Sequence, residues 1–365
     1  MSAPRYFVGL MSGTSLDGID AALADFGAGN GVLLRTAYRP YPPALRERAL
    51  ALNSAQPDEL HLAAVTANDL AHEYAAAVGE LLAAAGVAAN AVSAIGCHGQ
   101  TIRHRPDAGY SIQLVNAALL AERSGICVVC DFRSRDIAAG GQGAPLAPAF
   151  HDAVLRSPDA HRVVVNLGGI ANVTDLMPGR PAHGFDVGPG NLLMDAWAQQ
   201  HLGAPYDANG AWARGGAPIP ALLQQCLREP FFAAAPPKST GRELFNPAWL
   251  ASMLRPAYSA RDVQATLAEL TASAIAQAIE RDCGGAEEVL LCGGGAHNAH
   301  LASRIGALLP GARIAPTDAL GVPADWVEAY AFAWLARQAI DRQPGNIAQV
   351  TGARGARVLG AIYPA

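Results

Sequence analysis

The sequence predicts an α/β protein built from two similar halves, with a ligand-binding cleft between them. Three observations lead to this prediction. The chain has 365 residues, which is long for a single hydrophobic core. Each half opens with two strand-like apolar runs joined by a glycine-containing turn, at residues 6–26 and 162–176. Helices and strands then alternate in both halves, so the second half repeats the order of the first.

The first half begins with a hairpin whose turn is rich in hydroxyl groups. The turn Ser12-Gly13-Thr14-Ser15 offers backbone N–H groups and hydroxyls that can bind phosphate oxygens without a lysine. An ordinary hairpin explains the same pattern, since Asp17-Gly18 between apolar runs is a strong hairpin signal. The other elements predicted for this half are a strand at 32–38, helices at 42–50 and 57–85, a strand from 92 that ends in a polar loop at 98–101, a helix within 112–124 and a strand at 126–132.

A loop rich in glycine and proline, Arg133 to Pro148, separates the two halves. Its composition predicts a domain boundary or hinge, and its two arginines, Arg133 and Arg135, are suited to binding an anion. A plain linker is the alternative interpretation. We therefore expect a first domain of residues 1–132 plus about 343–365, and a second domain of about 133–342.

The second half contains the hairpin at 162–176, whose turn is Gly168-Gly169, and a strand at 182–187 that runs into Gly188-Pro-Gly-Asn191. Residues 203–247 are rich in proline and glycine, and the sequence leaves open whether they form a lid or a dimer surface. The further elements predicted here are helices at 192–201, 263–283, 298–309 and 326–341, and strands at 288–292, near 314 and at 357–363.

Composition excludes several classes of function. The formal net charge is −5, so the chain has no basic footprint for nucleic acid. No apolar run approaches the length of a membrane span, and the N-terminus shows no signal-peptide pattern. With 51% hydrophobic and 16% charged residues, we expect a soluble cytoplasmic protein with a large core and no nucleic-acid or membrane partner.

The six cysteines predict neither disulfides nor a metal site. Cys127 and Cys130 form a C-x-x-C pair within an apolar strand-like run. Residues three apart on a strand point to opposite faces, so the two thiols cannot act together. We expect buried, reduced cysteines throughout.

Lys238 is the only lysine, which restricts how the chain can bind phosphate. A P-loop requires lysine after glycine, and Lys238 instead follows two prolines. Any phosphate must therefore be bound by backbone N–H groups, hydroxyls, arginine and a metal ion.

Two hairpin turns and a strand–Gly-Gly-Gly–helix segment at 291–298 resemble the actin, hexokinase and heat-shock chaperone ATPase superfamily. Within it, four motifs closely resemble the anhydro-N-acetylmuramic acid kinase family: Met11–Asp20, Cys97–Thr101, Asn166–Asn172 and Gly184–Asn191. They occur in the family's order along nearly the whole chain. One position departs, since Val187 stands where the family often has threonine. On a strand Val187 would face away from Asp186, so the difference affects the site little.

The resemblance implies a duplicated actin-like (ribonuclease H-like) fold with the active site in the interdomain cleft. It also implies a homodimeric kinase of peptidoglycan recycling that uses ATP and Mg²⁺. Such an enzyme opens 1,6-anhydro-N-acetylmuramic acid with water and transfers the γ-phosphoryl group to O6. The product is N-acetylmuramic acid 6-phosphate.

The candidate site residues follow from the residue chemistry together with the resemblance. Asp186, at a strand end before Gly188, is the expected general base for the attacking water. His98, Gln100, Arg133 and Glu328 are expected to contact the sugar, with arginine suited to its carboxylate. The expected ATP-binding residues are Ser12, Gly13, Thr14, Ser15, Leu16, Asp17, Gly18, Ile19, Asp20, Asn166, Gly168, Gly169, Gly293, Gly294, Gly295 and Asn298.

Asp17 and Asp20 are also candidates for outer-shell contacts to magnesium, although a purely structural role explains them equally well. Two other functions stay open from sequence. One is a related kinase that phosphorylates a sugar hydroxyl directly, with the same aspartate as base. The other is a non-enzymatic ATP-driven switch, against which the absence of a predicted peptide-binding domain argues.

Overall fold

The computed structural model describes residues 3–13 and 16–365, and the chain divides into two compact units. The first comprises Met1–Val154 and Trp326–Ala365, and the second comprises Leu155–Asp325. The first unit therefore includes the loop that begins at Arg133 and the helix that carries Glu328. The boundaries predicted from the sequence place both of these residues in the second domain.

The first unit is a mixed sheet covered by helices. Its elements are β1 (Tyr6–Met11), β2 (Gly18–Asp25), β3 (Val32–Pro40), α1 (Pro43–Ala51), α2 (Glu59–Ala85), β4 (Val92–Cys97), β5 (Gln100–Arg105), β6 (Tyr110–Leu114), α3 (Ala117–Ser124), β7 (Val128–Cys130), α4 (Ser134–Ala138) and α5 (Ala147–Leu155). After the second unit, the chain returns to add α13 (Val327–Ile340), α14 (Ala348–Thr351) and β13 (Ala361–Tyr363).

Six strands of this unit form a sheet in the order β13-β7-β4-β1-β2-β3. Strands β1, β2 and β3 are antiparallel neighbours, whereas β4 runs parallel to β1 and β7 runs parallel to β4. Helix α13 crosses one face so closely that a Cβ on Gly9 or Gly96 would overlap its backbone. Helix α2 covers the other face with side chains such as Leu70 and Tyr74. Glycine in these two central strands is thus explained by the approach of a helix.

The second unit repeats this topology. Its elements are β8 (Arg162–Leu167), β9 (Ile170–Leu176), β10 (His183–Pro189), α6 (Leu192–Leu202), α7 (Ala211–Arg214), α8 (Pro220–Leu227), α9 (Pro230–Ala233), α10 (Pro247–Ala251), α11 (Ala260–Ala278), β11 (Glu288–Cys292), α12 (Ala299–Leu308) and β12 (Arg313–Pro316). The sheet order β10-β9-β8-β11-β12 matches β3-β2-β1-β4-β7 strand for strand, including which neighbours are antiparallel. This repeated order, that of a ribonuclease H-like sheet, confirms the predicted duplicated α/β architecture.

Several local predictions need correction. Residues 100–114, expected as a loop running into a helix, form the two-stranded sheet of β5 and β6 instead. For residues 203–247, the alternatives of a lid or a dimer surface stay open, but the segment also contributes Phe232 and Phe245 to the core of the second unit. The short helix α14 was missed.

Two negative predictions can be compared with the part of the chain that the structure describes. All six cysteines are free, and five of them are buried. Cys127 is only half-buried, so the prediction that every cysteine is buried is wrong at this position. Within residues 3–13 and 16–365, no helix is both long and apolar enough to cross a membrane.

Candidate functional site

Asp186 lies near the end of β10, at an irregularity in the strand pairing. The register of β10 against β9 shifts between Asp186 and Gly188. Such a bulge reorients the side chains beside it. Val187 is buried, with 2% of its surface exposed, whereas Asp186 is half-buried. Val187 is therefore enclosed in the core, whereas Asp186 keeps access to solvent.

The carboxylate of Asp186 is fixed through one of its oxygens. Oδ2 accepts hydrogen bonds from the Ser239 hydroxyl and from the Thr240 backbone N–H, both at 3.0 Å. Burial raises the pKa of Asp186 above its ordinary value, and the charge of Glu243 adds to this effect. The two hydrogen bonds oppose it, because they favour the ionised form. A partly desolvated carboxylate with a raised pKa is suited to accept a proton.

The segment that binds Asp186 was not identified from sequence. Asp186 N–H donates to the carbonyl of Lys238 at 3.2 Å, so residues 238–240 run alongside β10. The Lys238 ammonium donates to the carbonyls of Phe231 at 3.2 Å and of Phe232 at 3.5 Å. Lys238, the only lysine, therefore has a structural role, because its ammonium binds the backbone just before the segment that contacts Asp186. No local pattern links Ser239 to Asp186, since 53 positions separate them.

The tip of the second hairpin is bound by the segment that follows Asp186. The Gly168 carbonyl accepts from Asn191 N–H at 2.8 Å, and the Gly169 carbonyl accepts from Gly190 N–H at 2.9 Å. The nearest atoms to a Cβ added at Gly168 or Gly169 would be 3.5 and 3.9 Å away. Neither glycine has a positive φ. The protein itself thus requires glycine at neither position, and open space adjoins the tip.

The glycines after β11 pack against the same hairpin. Gly293 has φ +77°, and a Cβ there would overlap the Asn166 side-chain oxygen. A Cβ on Gly295 would lie 2.6 Å from Leu167 Cβ and 2.7 Å from Asn191 Oδ1. The second unit therefore brings together Asp186, the Gly168-Gly169 tip and the Gly293–Gly295 turn.

A cavity of about 390 Å³ opens beside these glycines. Burial, with help from the charge of Asp207, raises the pKa of Asp195 in its wall to about 6. The volume of the cavity lies within the usual range for small-molecule sites. The residues that line it are Asn191, Asp195, Tyr206, Asp207, Asn209, Gly294, Gly295, His297 and Asn298.

Two residues at this cavity have other partners. Asn298 caps α12, because its Oδ1 accepts from Leu301 N–H at 3.0 Å. His297 pairs through Nε2 with the Asp325 carboxylate at 2.8 Å. Within the described residues, no cluster of three or more His, Cys, Asp or Glu side chains could hold a metal ion.

The first hairpin carries the other predicted phosphate turn, of which Thr14 and Ser15 lie outside the described residues. Ser12 is 1% exposed, and its hydroxyl contacts Tyr74 Oη at 2.7 Å and the Gly99 carbonyl at 3.1 Å. Gln100, also 1% exposed, donates to the Gly13 carbonyl at 3.1 Å. The side chains of Ser12 and Gln100 therefore support the turn from inside the protein.

The remaining residues predicted in this turn differ in exposure. Leu16 and Ile19 are buried in the core of the first unit. A Cβ on Gly18 would lie 2.5 Å from the Arg39 carbonyl, so this glycine is required by packing against β3. Asp17 is exposed and Asp20 is half-buried. Burial and then the charges of these two carboxylates raise the pKa of Tyr38, which places both near its phenol.

Three of the residues predicted to bind the sugar lie together in the first unit. Arg133 donates through Nη2 to His98 Nε2 at 2.9 Å and through Nη1 to the Gly143 carbonyl at 2.8 Å. Burial, reinforced by the Arg133 charge, lowers the pKa of His98 to about 3, so this imidazole is neutral. A guanidinium can only donate, and His98 Nε2 is therefore the acceptor.

Glu328 lies in the first turn of α13 and remains accessible to solvent. Desolvation by the surrounding protein raises the pKa of the Glu328 carboxyl, whereas the charge of the Arg133 guanidinium lowers it. Burial lowers the pKa of Arg133 in turn, and Glu328 opposes that shift. Arg133, His98 and Glu328 thus form one electrostatic group, and the first two are fixed by hydrogen bonds.

Comparisons with known proteins agree with the motifs. The family model described as "Anhydro-N-acetylmuramic acid kinase" matches residues 5–365. A protein of that name from Nitrosomonas europaea is 56% identical over 362 residues, covering 99% of this chain and 100% of the relative. Namesakes from Nitrosospira multiformis and Thiobacillus denitrificans are each 57% identical, with 99% and 98% of this chain covered and 99% and 97% of the relatives.

The solved structures that match are more distant in sequence. The activator of the 2-hydroxyisocaproyl-CoA dehydratase from Clostridium difficile, with bound ADPNP, has a TM-score of 0.47 at 11% identity, covering 93% of this chain and 98% of that one. A ROK family glucokinase from Streptomyces griseus, in complex with glucose and AMPPNP, has a TM-score of 0.44 at 15% identity, covering 92% and 100%.

Proposed function

The chain belongs to the anhydro-N-acetylmuramic acid kinase family, and from this we propose that it opens 1,6-anhydro-N-acetylmuramic acid and phosphorylates O6 with ATP. The products are N-acetylmuramic acid 6-phosphate and ADP, and the reaction serves peptidoglycan recycling. The observation that carries the assignment of catalytic groups is the single oriented carboxylate of Asp186, next to an open glycine turn.

Asp186 acts as the general base in this proposal. A water attacks C1 and passes a proton to Asp186, the C1–O6 bond breaks, and O6 attacks the γ-phosphorus as the bond to the β-phosphate oxygen breaks. No general acid is required, because phosphorus rather than a proton takes up the leaving oxygen. Two donors fix Oδ2, and Oδ1 receives no hydrogen bond from the described residues, so Oδ1 is the oxygen assigned to the water.

The glycine turns bind the nucleotide in this proposal. Gly168 and Gly169 are required by neither backbone conformation nor packing, which supports close approach of phosphate oxygens at this tip. Gly294, Gly295 and Asn298 border the cavity of about 390 Å³, which we assign to adenosine, and Gly293 belongs to the same turn. The first hairpin, Ser12 to Asp20, is assigned to the β- and γ-phosphates, with Ser12 acting through the shape of the turn.

Magnesium fits the residues as an ion bound chiefly by phosphates and water. Asp17 and Asp20 lie close enough together to act on one phenol, Tyr38, but the described residues provide no cluster of three ligands. We therefore assign Asp17 and Asp20 to outer-shell contacts, since Mg²⁺ usually keeps several waters when it binds phosphates. When bound, the ion would neutralise charge that develops on the transferred phosphoryl group.

Arg133, His98 and Glu328 are assigned to the sugar, and Gln100 to support of the turn beside them. The Arg133 guanidinium has five N–H donors, of which two are used by Gly143 and His98. No hydrogen bond within the described residues uses the others, and we assign them to the lactyl carboxylate of the substrate. We further propose that the protein is cytoplasmic, forms a homodimer and binds no nucleic acid. Sedimentation of the purified chain tests the oligomeric state.

The function is tested by turnover in water enriched in heavy oxygen. Incubation with ATP and the anhydro sugar is expected to give a product with phosphate on O6 and one heavy oxygen at C1, read by mass spectrometry. A kinase that phosphorylates an existing hydroxyl would leave C1 unlabelled. Loss of ATP without any sugar, at the same rate as with sugar, would instead identify an ATP switch.

Two variants separate the catalytic assignment from the function itself. Asp186→Asn is expected to lower kcat by roughly 10²–10⁴-fold, the usual contribution of a general base. Asp107→Asn is the matched control, because Asp107 is exposed and pairs only with Arg105 among the described residues. Full activity of Asp186→Asn would show that another group takes the proton.

A further inference from the structure

Asp136 is a fully buried carboxylate that none of the roles proposed above uses. Its Oδ2 accepts from the Gly143 N–H at 2.8 Å. Its Oδ1 accepts from the Asn346 amide at 2.6 Å and from the Thr351 hydroxyl at 2.7 Å. Burial of a carboxylate is costly unless hydrogen bonds compensate it. These three donors therefore fix Asp136 and, in turn, the groups that donate to it.

Gly143 connects this carboxylate to Arg133. Its N–H donates to Asp136, and its carbonyl accepts from Arg133 Nη1 at 2.8 Å. Gly143 has φ +68°, a conformation that favours glycine. A Cβ there would lie 2.9 Å from Ile137 Cδ1, so this position is enclosed. The carbonyl that orients Arg133 thus belongs to a residue bound on its other side by Asp136.

The C-terminal segment of the chain completes the arrangement. Thr351 accepts at its carbonyl from Gln142 N–H at 2.7 Å, and Ala139 accepts from Arg354 N–H at 2.9 Å. Asn346 accepts at Oδ1 from Arg357 N–H at 2.7 Å. The loop that contains Gly143 is therefore bound to residues some 200 positions later, as the 210-residue separation between Asp136 and Asn346 shows.

We propose that Asp136 is a positioning residue for sugar binding: together with Asn346 and Thr351 it fixes the Gly143 carbonyl and thereby the Arg133 guanidinium. The proposal rests on the function proposed above, in which Arg133 binds the substrate carboxylate. A long arginine side chain loses conformational freedom when it binds a ligand. Fixing the guanidinium beforehand reduces that loss, which favours binding of the sugar and not of ATP.

The test is a comparison of Thr351→Val with Thr351→Ser in the full-length protein. Thr351→Val keeps the shape and removes the hydroxyl donor, so the KM for the anhydro sugar is expected to rise about tenfold. The KM for ATP is expected to stay unchanged. Thr351→Ser keeps the donor and is expected to restore the KM for the sugar.

Thr66→Val is the matched control for removing a buried hydroxyl. Thr66 lies in α2 of the same unit, is fully buried, and its hydroxyl has no hydrogen-bond partner within the described residues. Its replacement should leave both KM values unchanged. If Thr66→Val and Thr351→Val raise both KM values alike, the effect reflects general packing and the positioning proposal is wrong.

A double-mutant cycle with Arg133→Lys tests whether the effect passes through Arg133. Arg133→Lys removes the planar guanidinium, so it should raise the KM for the sugar by itself. Thr351→Val added to it should then cause no further rise. Independent, additive effects of the two substitutions would overturn the proposal.

The cycle also separates two kinds of failure. If Arg133→Lys leaves the KM for the sugar unchanged, the assignment of Arg133 in the proposed function is wrong. If Arg133→Lys raises it and Thr351→Val does not, only the role of Asp136 is wrong. If circular dichroism shows that Thr351→Val does not fold, Asp136→Asn is measured in its place. The asparagine amide keeps the shape of the carboxylate, but its NH₂ group cannot accept the hydrogen bond of one of the three donors.

Discussion

At the scale of single residues, the environment of Asp186 decides its protonation. Burial and the nearby Glu243 carboxylate raise its pKa, whereas the Ser239 hydroxyl and the Thr240 N–H lower it. A general base must be ionised to accept a proton. Activity should therefore fall, on lowering the pH, at a higher pH than for an ordinary aspartate.

Two substitutions are expected to move this acid limb in opposite directions. Ser239→Ala removes a donor to the ionised form, so it should raise the pKa of Asp186 and shift the limb of kcat/KM to higher pH. Glu243→Gln removes a negative charge and should shift the limb to lower pH. Profiles of kcat/KM against pH for the anhydro sugar measure both shifts. Coincident profiles for the three proteins would assign the limb to a group other than Asp186.

Sequence reasoning reached Asp186 but not its partners. A carboxylate at a strand end before Gly188-Pro189-Gly190 is a local pattern that can be recognised along the chain. Ser239 and Thr240 lie in a segment rich in proline, glycine and alanine, without regular periodicity. Only the folded chain brings that segment beside β10.

At the scale of elements, two glycines at the turn of the second hairpin differ in what surrounds them. The space around Gly169 is open, and the nearest atom to an added Cβ would be Leu192 Cβ at 3.9 Å. A Cβ on Gly190, which faces the same turn, would overlap the Gly168 carbonyl. Packing therefore requires glycine at position 190, whereas it does not require glycine at position 169.

Replacement of each glycine by alanine tests this distinction. Gly169→Ala should change the free energy of unfolding by no more than about 0.5 kcal/mol. It should nevertheless raise the KM for ATP on the order of tenfold, because the methyl group occupies the proposed phosphate space. Gly190→Ala should destabilise the protein by about 1–3 kcal/mol through overpacking. Thermal denaturation and ATP titration of both variants measure these effects.

A Gly169→Ala protein with normal stability and an unchanged KM for ATP would remove this turn from the nucleotide site.

The hairpin of β5 and β6 is an element that the sequence did not predict. Residues 100–105 contain Arg103, His104 and Arg105 with one apolar residue, Ile102. Such a segment lacks the alternation of apolar and polar residues by which strands are recognised.

At the scale of the whole molecule, the shortage of lysine determines how phosphate charge can be neutralised. Lys238 is the only lysine, and its ammonium donates to two carbonyls of the second unit. Phosphoryl transfer depends chiefly on alignment and charge neutralisation. We therefore expect the proposed metal ion to supply positive charge that other kinases obtain in part from lysine.

Removal of divalent metal is expected to abolish turnover. A chelator should lower kcat by roughly a hundredfold or more, and added Mg²⁺ should restore it. Lys238→Met is the informative companion, because it should alter stability through the lost contacts to Phe231 and Phe232 without changing the Mg²⁺ dependence. Full turnover in excess chelator would show that the protein supplies the charge by itself.

The sequence by itself determined the duplicated α/β order, the glycine turns and the candidate base, because each depends on residues close together along the chain. The tertiary structure decided what surrounds them: Ser239 beside Asp186, Gly143 and His98 beside Arg133, and Arg133 in the same unit as Glu328. The physical reason is sequence separation. Local chemistry predicts turns and strand ends, but hydrogen bonds between distant segments depend on how the layers pack.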